Sequence, residues 1–196
     1  MILPILAYGN PVLKNKAMEI SKNFENLNDL IENMWATMYN ANGVGLAAPQ
    51  IGLSLRLFIV DTSPFADEES MEDIELNKVK SFKKVFINPT LIDEIGNEWD
   101  FNEGCLSIPE VRADVKRSDT ILIKYSDQEF NQYQDSYNGI IARVIQHEYD
   151  HIEGILFTDK LSPLKRKLFK GKLLNISKGK IETDYKMKFS RPIKTR

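Results

Sequence analysis

The sequence contains very little of the residues that form cross-links and metal cages. Among its 196 residues there are one cysteine, Cys105, and two histidines. A single cysteine cannot form an internal disulfide, which excludes a disulfide-stapled secreted domain and favours a reducing compartment. A closed structural zinc site needs four ligands, and the cysteine and histidines together provide only three. Cys105 is therefore a small buried side chain, a nucleophile or a metal ligand.

Long uninterrupted apolar runs are also missing. Residues 1–6 are apolar, but no basic region precedes them and Pro4 interrupts them, so we predict neither a signal peptide nor a membrane span there. With 42% hydrophobic and 28% charged residues, a chain of this length is long enough for one well-buried core. We expect one catalytic domain over residues 1–196.

The net charge of −2 conceals a split between the two ends of the chain. Residues 162–196 carry 12 Lys and Arg against Glu182 and Asp184, whereas residues 1–161 carry 14 basic and 26 acidic side chains. A basic C-terminal helix and tail on an acidic body predicts a polyanionic partner such as RNA. An ordinary solvated helix face with a frayed end would have the same composition.

Apolar spacing predicts a helix near each end of the chain. From Leu27 to Met38 the apolar residues follow the i, i+3, i+4, i+7 pattern of a core helix. Ser162, followed by a proline, is a typical cap for a final helix. In that helix we expect Leu164 and Leu168 to face the core.

The middle of the chain is rich in short strand patterns. We predict strands at 55–60, 84–87, 91–95, 111–115, 120–125 and 130–137, with a stop at Asn88-Pro89. These strands are joined by turns rather than helices, so the expected class is α+β with mostly antiparallel sheets packed around a central helix. Residues 62–80 hold six clustered acidic side chains and few apolar anchors, which predicts a mobile acidic loop.

Both histidines lie in one hexapeptide, Gln146-His147-Glu148-Tyr149-Asp150-His151. It falls in a predicted helix that starts at Asn138 or Gly139 and ends at Gly154, where four residues advance one turn and place both imidazoles on one face. Glu148 points about 80–100° away from that face, where it can reach a water at the metal without being a ligand. The motif therefore predicts a metal site with a glutamate base.

A catalytic metal usually has three protein ligands and one open position. Cys105 is the candidate for the third ligand, in the segment Glu103-Gly104-Cys105-Leu106-Ser107, which we predict to be a turn between strands. A thiolate binds borderline-soft divalent ions strongly.

Three segments, in this order, resemble the motifs of the peptide deformylases. They are Gly43-Val44-Gly45-Leu46-Ala47-Ala48-Pro49-Gln50, Glu103-Gly104-Cys105-Leu106-Ser107 and the hexapeptide with the two histidines. Any one of them alone is weak, whereas three with matching order and spacing are highly specific. The resemblance runs from the N-terminal segment to about Leu168, and it does not include the acidic segment or the residues after about Gly179.

This resemblance implies an enzyme that removes the formyl group from the N-terminal methionine of newly made bacterial or organellar proteins and releases formate. It implies Fe²⁺ as the metal, with Ni²⁺, Co²⁺ or Zn²⁺ as substitutes. Its partners are then the nascent formyl-Met chain and, through the basic C-terminal helix, the ribosome, in the bacterial cytoplasm. We expect neither a membrane nor DNA as a partner.

The resemblance also implies a role for individual residues. The ligands are Cys105, His147 and His151, Glu148 is the general acid and base, and Gln50 with the Leu106 backbone N–H stabilises the oxyanion. Glycines allow the close approach that a small formyl group needs, and an apolar slot suits methionine. The candidate substrate-binding residues are Gly43, Val44, Gly45, Ile140, Arg143 and Val144. Arg143 lies one helical step from the pocket stripe, where many relatives have an apolar residue.

Other readings of the motif remain open from the residues alone. A zinc metallopeptidase shares the helix and its glutamate, but needs a downstream third ligand, for which Glu153, Asp159 and Glu182 are poor candidates. A non-catalytic, metal-stabilised RNA-binding domain would need a fourth ligand. A cysteine-nucleophile hydrolase would leave the paired histidines unexplained. Methionine release from formyl-Met peptides separates the first two from a deformylase, and chelation followed by metal restoration tests the third.

Overall fold

The computed structural model describes residues 1–67 and 73–190. These residues form four α-helices and seven strands. The helices are α1 (Leu27–Asn40), α2 (Asp73–Ser81), α3 (Gly139–Ile152) and α4 (Pro163–Ser177). The strands are β1 (Ile5–Leu6), β2 (Gly45–Ala47), β3 (Leu57–Asp61), β4 (Lys83–Cys105), β5 (Ile108–Ser126), β6 (Gln132–Asn138) and β7 (Met187–Lys188).

The main sheet has five strands in the order β2-β3-β4-β5-β6, and every neighbouring pair is antiparallel. This confirms the predicted α+β class with mostly antiparallel strands. The two ends of the chain form a separate parallel pair, in which Ile5 of β1 is the partner of Met187 of β7.

Helices cover both faces of the sheet at β3. Because side chains alternate along a strand, Phe58 and Val60 pack into the same apolar cluster as α3, whereas Leu57 and Ile59 pack with α1. All five residues of β3 are buried as a result. This two-sided burial places α3, which carries the two histidines, inside the molecule.

The predicted stop at Asn88-Pro89 is wrong, because β4 continues through both residues. Its register shifts between Ile87 and Thr90, and Asn88 adopts a left-handed conformation with φ of 49°. The Asn88 side chain donates to the Ile20 carbonyl and accepts from the Ile20 N–H, both at 2.8 Å. A bulge of this kind absorbs an irregular residue without ending the strand.

Residues 62–80 are not a loop throughout. They include a short 3-10 helix, Ser63–Asp67, and most of α2. Val79 is buried, and Phe65 packs edge-on against Phe101 with ring centroids 6.1 Å apart. Contrary to the expectation from composition, apolar side chains therefore anchor the segment at both ends. Residues 68–72 lie outside the described residues, and the mobility of the segment stays a prediction.

Helix α4 begins as predicted but packs differently. The Ser162 side chain accepts a hydrogen bond from the Lys165 N–H at 3.3 Å. The predicted inward face is wrong, because Leu164 and Leu168 are 72% and 74% exposed. Leu173 and Ile176 are buried instead, so the helix is attached through its C-terminal half. No helix among the described residues combines the length and apolarity needed to cross a membrane.

Candidate active site

The three candidate metal ligands come together where the end of β4 meets α3. One ligand atom from each of Cys105, His147 and His151 lies within 4.8 Å of the others. Cys105 Sγ is 3.3 Å from His151 Nε2, and the two imidazole centroids are 5.1 Å apart. The one-turn spacing on α3 therefore brings the two imidazoles together on one face of the helix, as predicted.

A buried glutamate orients the first histidine. His147 Nδ1 lies 2.9 Å from Glu103 Oε2. Burial alone would raise the pKa of Glu103, but hydrogen bonds from His147 and Arg117 hold it well below its usual value. A carboxylate can only accept, so Nδ1 donates and Nε2 is left as the ring nitrogen available to a metal.

Glu103 is also the centre of a buried set of charges that we call the inner network: Glu103, Arg117, Arg143, His147 and Asp150. Arg117 donates to both Glu103 oxygens at 2.7 and 3.0 Å and to Asp150 at 2.6 Å. Arg143 donates to Glu103 at 3.0 Å. The side chains of Glu103 and Arg117 are each only 3% exposed. The network therefore satisfies charges that would be costly to bury alone.

Arg117 has no predicted role, although the sequence contains a clue to its position. On β5, Val111, Ala113 and Val115 are buried at alternate positions, and Arg117 continues the same inward face. A charge at the next inward position of an apolar strand face needs a buried partner. Here those partners are Glu103 and Asp150.

The residues present fit a divalent ion. Two imidazole nitrogens and one sulfur are donors that suit Fe, Ni, Co or Zn, and a tetrahedral ion would space such donors about 3.3–3.8 Å apart. Within residues 1–67 and 73–190, this is the one group of three ligand-type side chains so arranged. Glu153, the nearest acid downstream of the histidines, is paired with Arg56 and Lys16 at 2.6 and 2.8 Å. It is not a third ligand of the metallopeptidase type.

Glu148 is buried beside this group and faces the same pocket. Its Oε2 has no hydrogen-bond partner among the described residues, and burial raises the pKa of the carboxyl group to about 7. Gly45 makes this position accessible, because a Cβ there would overlap the Glu148 carboxylate. The glycine of the first motif thus leaves room for the glutamate carboxylate of the third motif.

Gln50 lies on the other side of Cys105. Its Oε1 accepts from the Ala47 N–H at 2.8 Å, which fixes the orientation of the amide. Its Nε2 donates towards Cys105 Sγ at 3.6 Å and Ser107 Oγ at 3.3 Å. Leu106 and Ser107 form the tight turn between β4 and β5, as predicted, so the Leu106 N–H follows directly after the candidate ligand.

A cavity of about 460 Å³ opens beside these groups. Of the six predicted substrate-binding residues, five line it: Gly43, Val44, Gly45, Arg143 and Val144. Ile140 is not among the lining residues and is buried in the apolar core, because it lies one turn further from the site along α3. Lining residues that the sequence did not indicate include Phe65, Phe101 and Tyr185.

Arg143 contributes little free charge to the pocket. Its guanidinium donates to Glu103, to the Val115 carbonyl at 2.9 Å and to the Trp99 carbonyl at 2.7 Å. It also lies over the Trp99 ring, 4.5 Å from the centroid. Its position next to an apolar pocket is therefore compatible with an uncharged substrate side chain.

Comparisons with known proteins agree with this geometry. A polypeptide deformylase family model matches residues 2–167. The peptide deformylase of Christiangramia forsetii is 60% identical over the full length of both chains, and that of Flavobacterium psychrophilum is 57% identical over 96% of this chain and 97% of the relative. The crystal structure of peptide deformylase from Thermus thermophilus is 37% identical, with a TM-score of 0.78 over 91% of this chain and 99% of that one.

The family model matches all three motifs. The alignment with the Flavobacterium psychrophilum enzyme also includes the whole C-terminal helix. Both relatives are covered almost completely by this chain, so the likeness concerns the whole enzyme rather than a shared part. The chain belongs to the polypeptide deformylase family and removes the N-formyl group from newly made peptides.

Proposed function

We propose that residues 1–196 act as one catalytic domain in which Cys105, His147 and His151 hold the metal ion. The observation that carries this proposal is the meeting of these three ligand atoms within 4.8 Å, beside a buried carboxylate, that of Glu148, whose Oε2 has no hydrogen-bond partner in the part of the chain that the structure describes. When bound, the ion supplies a Lewis acid that polarises the formyl carbonyl and makes water more acidic.

Glu148 moves the protons of the reaction. Its unpaired Oε2 accepts a proton from the attacking water and then delivers it to the nitrogen of the leaving amine. Two neutral imidazoles and one thiolate leave the site with a charge of about +1, which is less electron-withdrawing than an all-histidine site. A protein base is needed for this reason.

Two donors stabilise the negative charge that develops on the formyl oxygen when water attacks the formyl carbon. The Ala47 N–H donates to Gln50 Oε1 and so holds Gln50 Nε2 next to Cys105. The Leu106 N–H follows Cys105 in the turn. One such donor contributes about 2.7–4 kcal/mol to transition-state stabilisation in comparable oxyanion holes.

The cavity binds the methionine side chain. Val44 and Val144 provide aliphatic walls, while Phe65 and Phe101 provide an aromatic one. Gly43 and Gly45 bring the backbone close to Leu106 and Glu148, where added side-chain atoms would overlap. A formyl carbon carries only hydrogen, so a site this tight admits it and excludes larger acyl groups.

The native metal in this proposal is Fe²⁺, with Ni²⁺, Co²⁺ or Zn²⁺ as substitutes. The donor set supports any of these ions, and the family resemblance favours iron. We expect protein purified without oxygen to contain mainly iron, and its activity to decay in air as Cys105 is oxidised. Nickel-loaded enzyme should keep its activity under the same conditions. Mainly zinc in the anaerobic protein, or equal air stability of the two forms, would contradict iron.

The enzyme acts on nascent formyl-Met chains at the ribosome in the bacterial cytoplasm. Support comes from α4, where Lys165 and Lys167 are exposed together with Leu164 and Leu168. The double variant Lys165→Glu/Lys167→Glu should co-sediment with ribosomes less than the wild type does. The matched control is Lys116→Glu/Lys124→Glu, two exposed lysines on β5. An equal effect of both variants would indicate non-specific attraction.

The variant Glu148→Ala tests the catalytic assignment. It should retain the metal and lose nearly all turnover of a formyl-Met peptide, because Glu148 moves protons and is not a ligand. Metal content and formate release are measured on the same sample, with the exposed Glu98→Ala as control. Loss of the metal along with activity, or retention of most activity, would refute the role.

A further inference from the structure

The C-terminal segment returns to the active site after leaving the part of the chain that the family model matches. Helix α4 ends at Ser177, and β7 then pairs with β1 through hydrogen bonds from Ile5 N–H to Lys186 O at 2.9 Å and from Ala7 N–H to Lys188 O at 3.0 Å. Met187 and Phe189 pack against the cluster that contains Leu173 and Ile176. Tyr185 therefore lies in a segment attached to the body of the protein.

Tyr185 reaches the turn that carries the candidate ligand. Its hydroxyl donates to the Leu106 carbonyl at 2.8 Å. Its ring is half-buried and lines the substrate cavity. Neither contact depends on the metal-binding side chains themselves.

The Leu106–Ser107 turn is held from several directions at once. The Tyr8 N–H donates to the Ser107 carbonyl at 2.8 Å, and Gln50 contacts the Ser107 hydroxyl from the pocket side. With Tyr185 on the Leu106 carbonyl, the carbonyl groups of both turn residues have a partner outside the turn. Tyr8 and Tyr185 follow and precede the paired strands β1 and β7, so the two chain ends act together on this turn.

We infer that Tyr185 is a positioning residue for the reaction. Its hydroxyl fixes the Leu106–Ser107 peptide so that the preceding Leu106 N–H stays aimed at the formyl oxygen, and its ring forms a wall of the cavity. Rates depend steeply on such alignment, because a displacement of about 1 Å can cost about 100-fold. The inference rests on the proposed role of the Leu106 N–H.

Two variants separate the hydroxyl from the ring. Tyr185→Phe should lower kcat on a formyl-Met peptide about five- to ten-fold, the effect of losing one neutral hydrogen bond, while KM stays within two-fold. Tyr185→Leu should lower kcat similarly and also raise KM, because the cavity loses its wall. Metal content and Tm are measured for both. The control is Tyr133→Phe, whose hydroxyl donates to Asp127 on the exposed surface.

The outcomes distinguish positioning from mere stability. Wild-type kcat and KM in Tyr185→Phe would overturn the inference, and so would a fall in activity that only parallels lost metal or a lower Tm. Failure of the wild-type enzyme itself to release formate would instead refute the proposed function. A normal wild-type enzyme with an unaffected Tyr185→Phe would refute the inference alone.

Discussion

Two hydrogen-bonded networks of charged and polar side chains lie in very different surroundings in this molecule. The inner network around Glu103 is almost fully buried. The outer network, which consists of Lys84, Tyr125, Asp135 and Tyr137, is partly exposed, with Lys84 and Asp135 side chains 40% and 37% accessible. Its two shortest hydrogen bonds, from Lys84 to Tyr125 and from Tyr125 to Asp135, are both 2.7 Å and so fall within the range of the inner network.

We therefore expect burial, and not hydrogen-bond length, to determine how much each network contributes to the free energy of unfolding. Charges in water interact weakly and lose little when separated. Buried charges lose their hydration on folding, so removal of one partner leaves the others uncompensated. The inner network also includes the candidate ligand His147, whereas the side-chain hydrogen bonds of the outer network join only its own four members among the described residues.

The largest difference is expected between Glu103→Ala and Asp135→Ala. The first leaves Arg117 and Arg143 buried without their shared carboxylate and should cost about 3–5 kcal/mol of unfolding free energy. The second should cost less than about 1 kcal/mol. Urea unfolding at pH 7 measures both, and metal content should fall only in Glu103→Ala. Equal costs would show that burial is not what separates the networks.

A pair of glycine substitutions compares the packing of a buried position beside the active site with that of an exposed position. Gly45→Ala places a Cβ against the Glu148 carboxylate and should lower kcat/KM about 100-fold or more through displacement of that group. Gly171→Ala, in α4, meets nothing within 4 Å and should stabilise the protein by about 0.5–1 kcal/mol. Activity of Gly45→Ala within three-fold of wild type would contradict the tight site.

A smaller contrast is expected between Arg143→Met and Lys84→Met. Without Arg143, Glu103 still has Arg117 and His147, but the Trp99 carbonyl loses a donor, so the cost should be about 1–3 kcal/mol. Lys84→Met should cost less than about 1 kcal/mol. Only the first should change KM, because only Arg143 lines the cavity. An unchanged KM in Arg143→Met would indicate that substrate does not touch this wall.

The inner network also shows how far the sequence could predict this site. The candidate ligands and Glu148 could be selected from the sequence because the two histidines lie one turn apart on a helix and because all four residues fall in recognisable motifs. Alternation along β5 indicates that Arg117 faces inward, but spacing does not identify its partners or those of Tyr185, since these contacts depend on strand pairing between distant parts of the chain. Ile140 was assigned to the pocket because helical periodicity gives the face of a residue but not its distance from the site.

Contacts between residues that are distant in the sequence also explain the wrong predictions about the fold. Periodicity predicted that α4 has an apolar face, but it could not show that only the second half of the helix meets the core, which leaves Leu168 exposed and Leu173 buried. At Asn88-Pro89 the local residues predict a stop. The strand continues because Ile20, 68 residues away, bonds the Asn88 side chain.

The smallest expected effect concerns the response of the outer network to acid. Hydrogen bonds from Tyr125 and Tyr137, together with Lys84, lower the pKa of Asp135 despite some burial that would raise it. A carboxyl group with a lowered pKa in the folded state stabilises the fold above its unfolded pKa of about 3.9. This stabilisation is lost as the pH falls through the folded pKa.

Asp135→Asn should therefore be slightly less stable than the wild type at pH 6, by well under 1 kcal/mol because the site is partly exposed. The difference should shrink as the pH falls below the unfolded pKa of about 3.9 towards the lowered folded pKa, because the protonated aspartate matches the neutral amide. Urea unfolding of both proteins at pH 6, 5, 4 and 3 measures the difference, with the buffer ionic strength held constant. Raising the salt concentration at pH 6 should reduce it further. A difference that stays constant down to pH 3 would mean that the tyrosine hydroxyls stabilise this position through geometry rather than through the charge of Asp135.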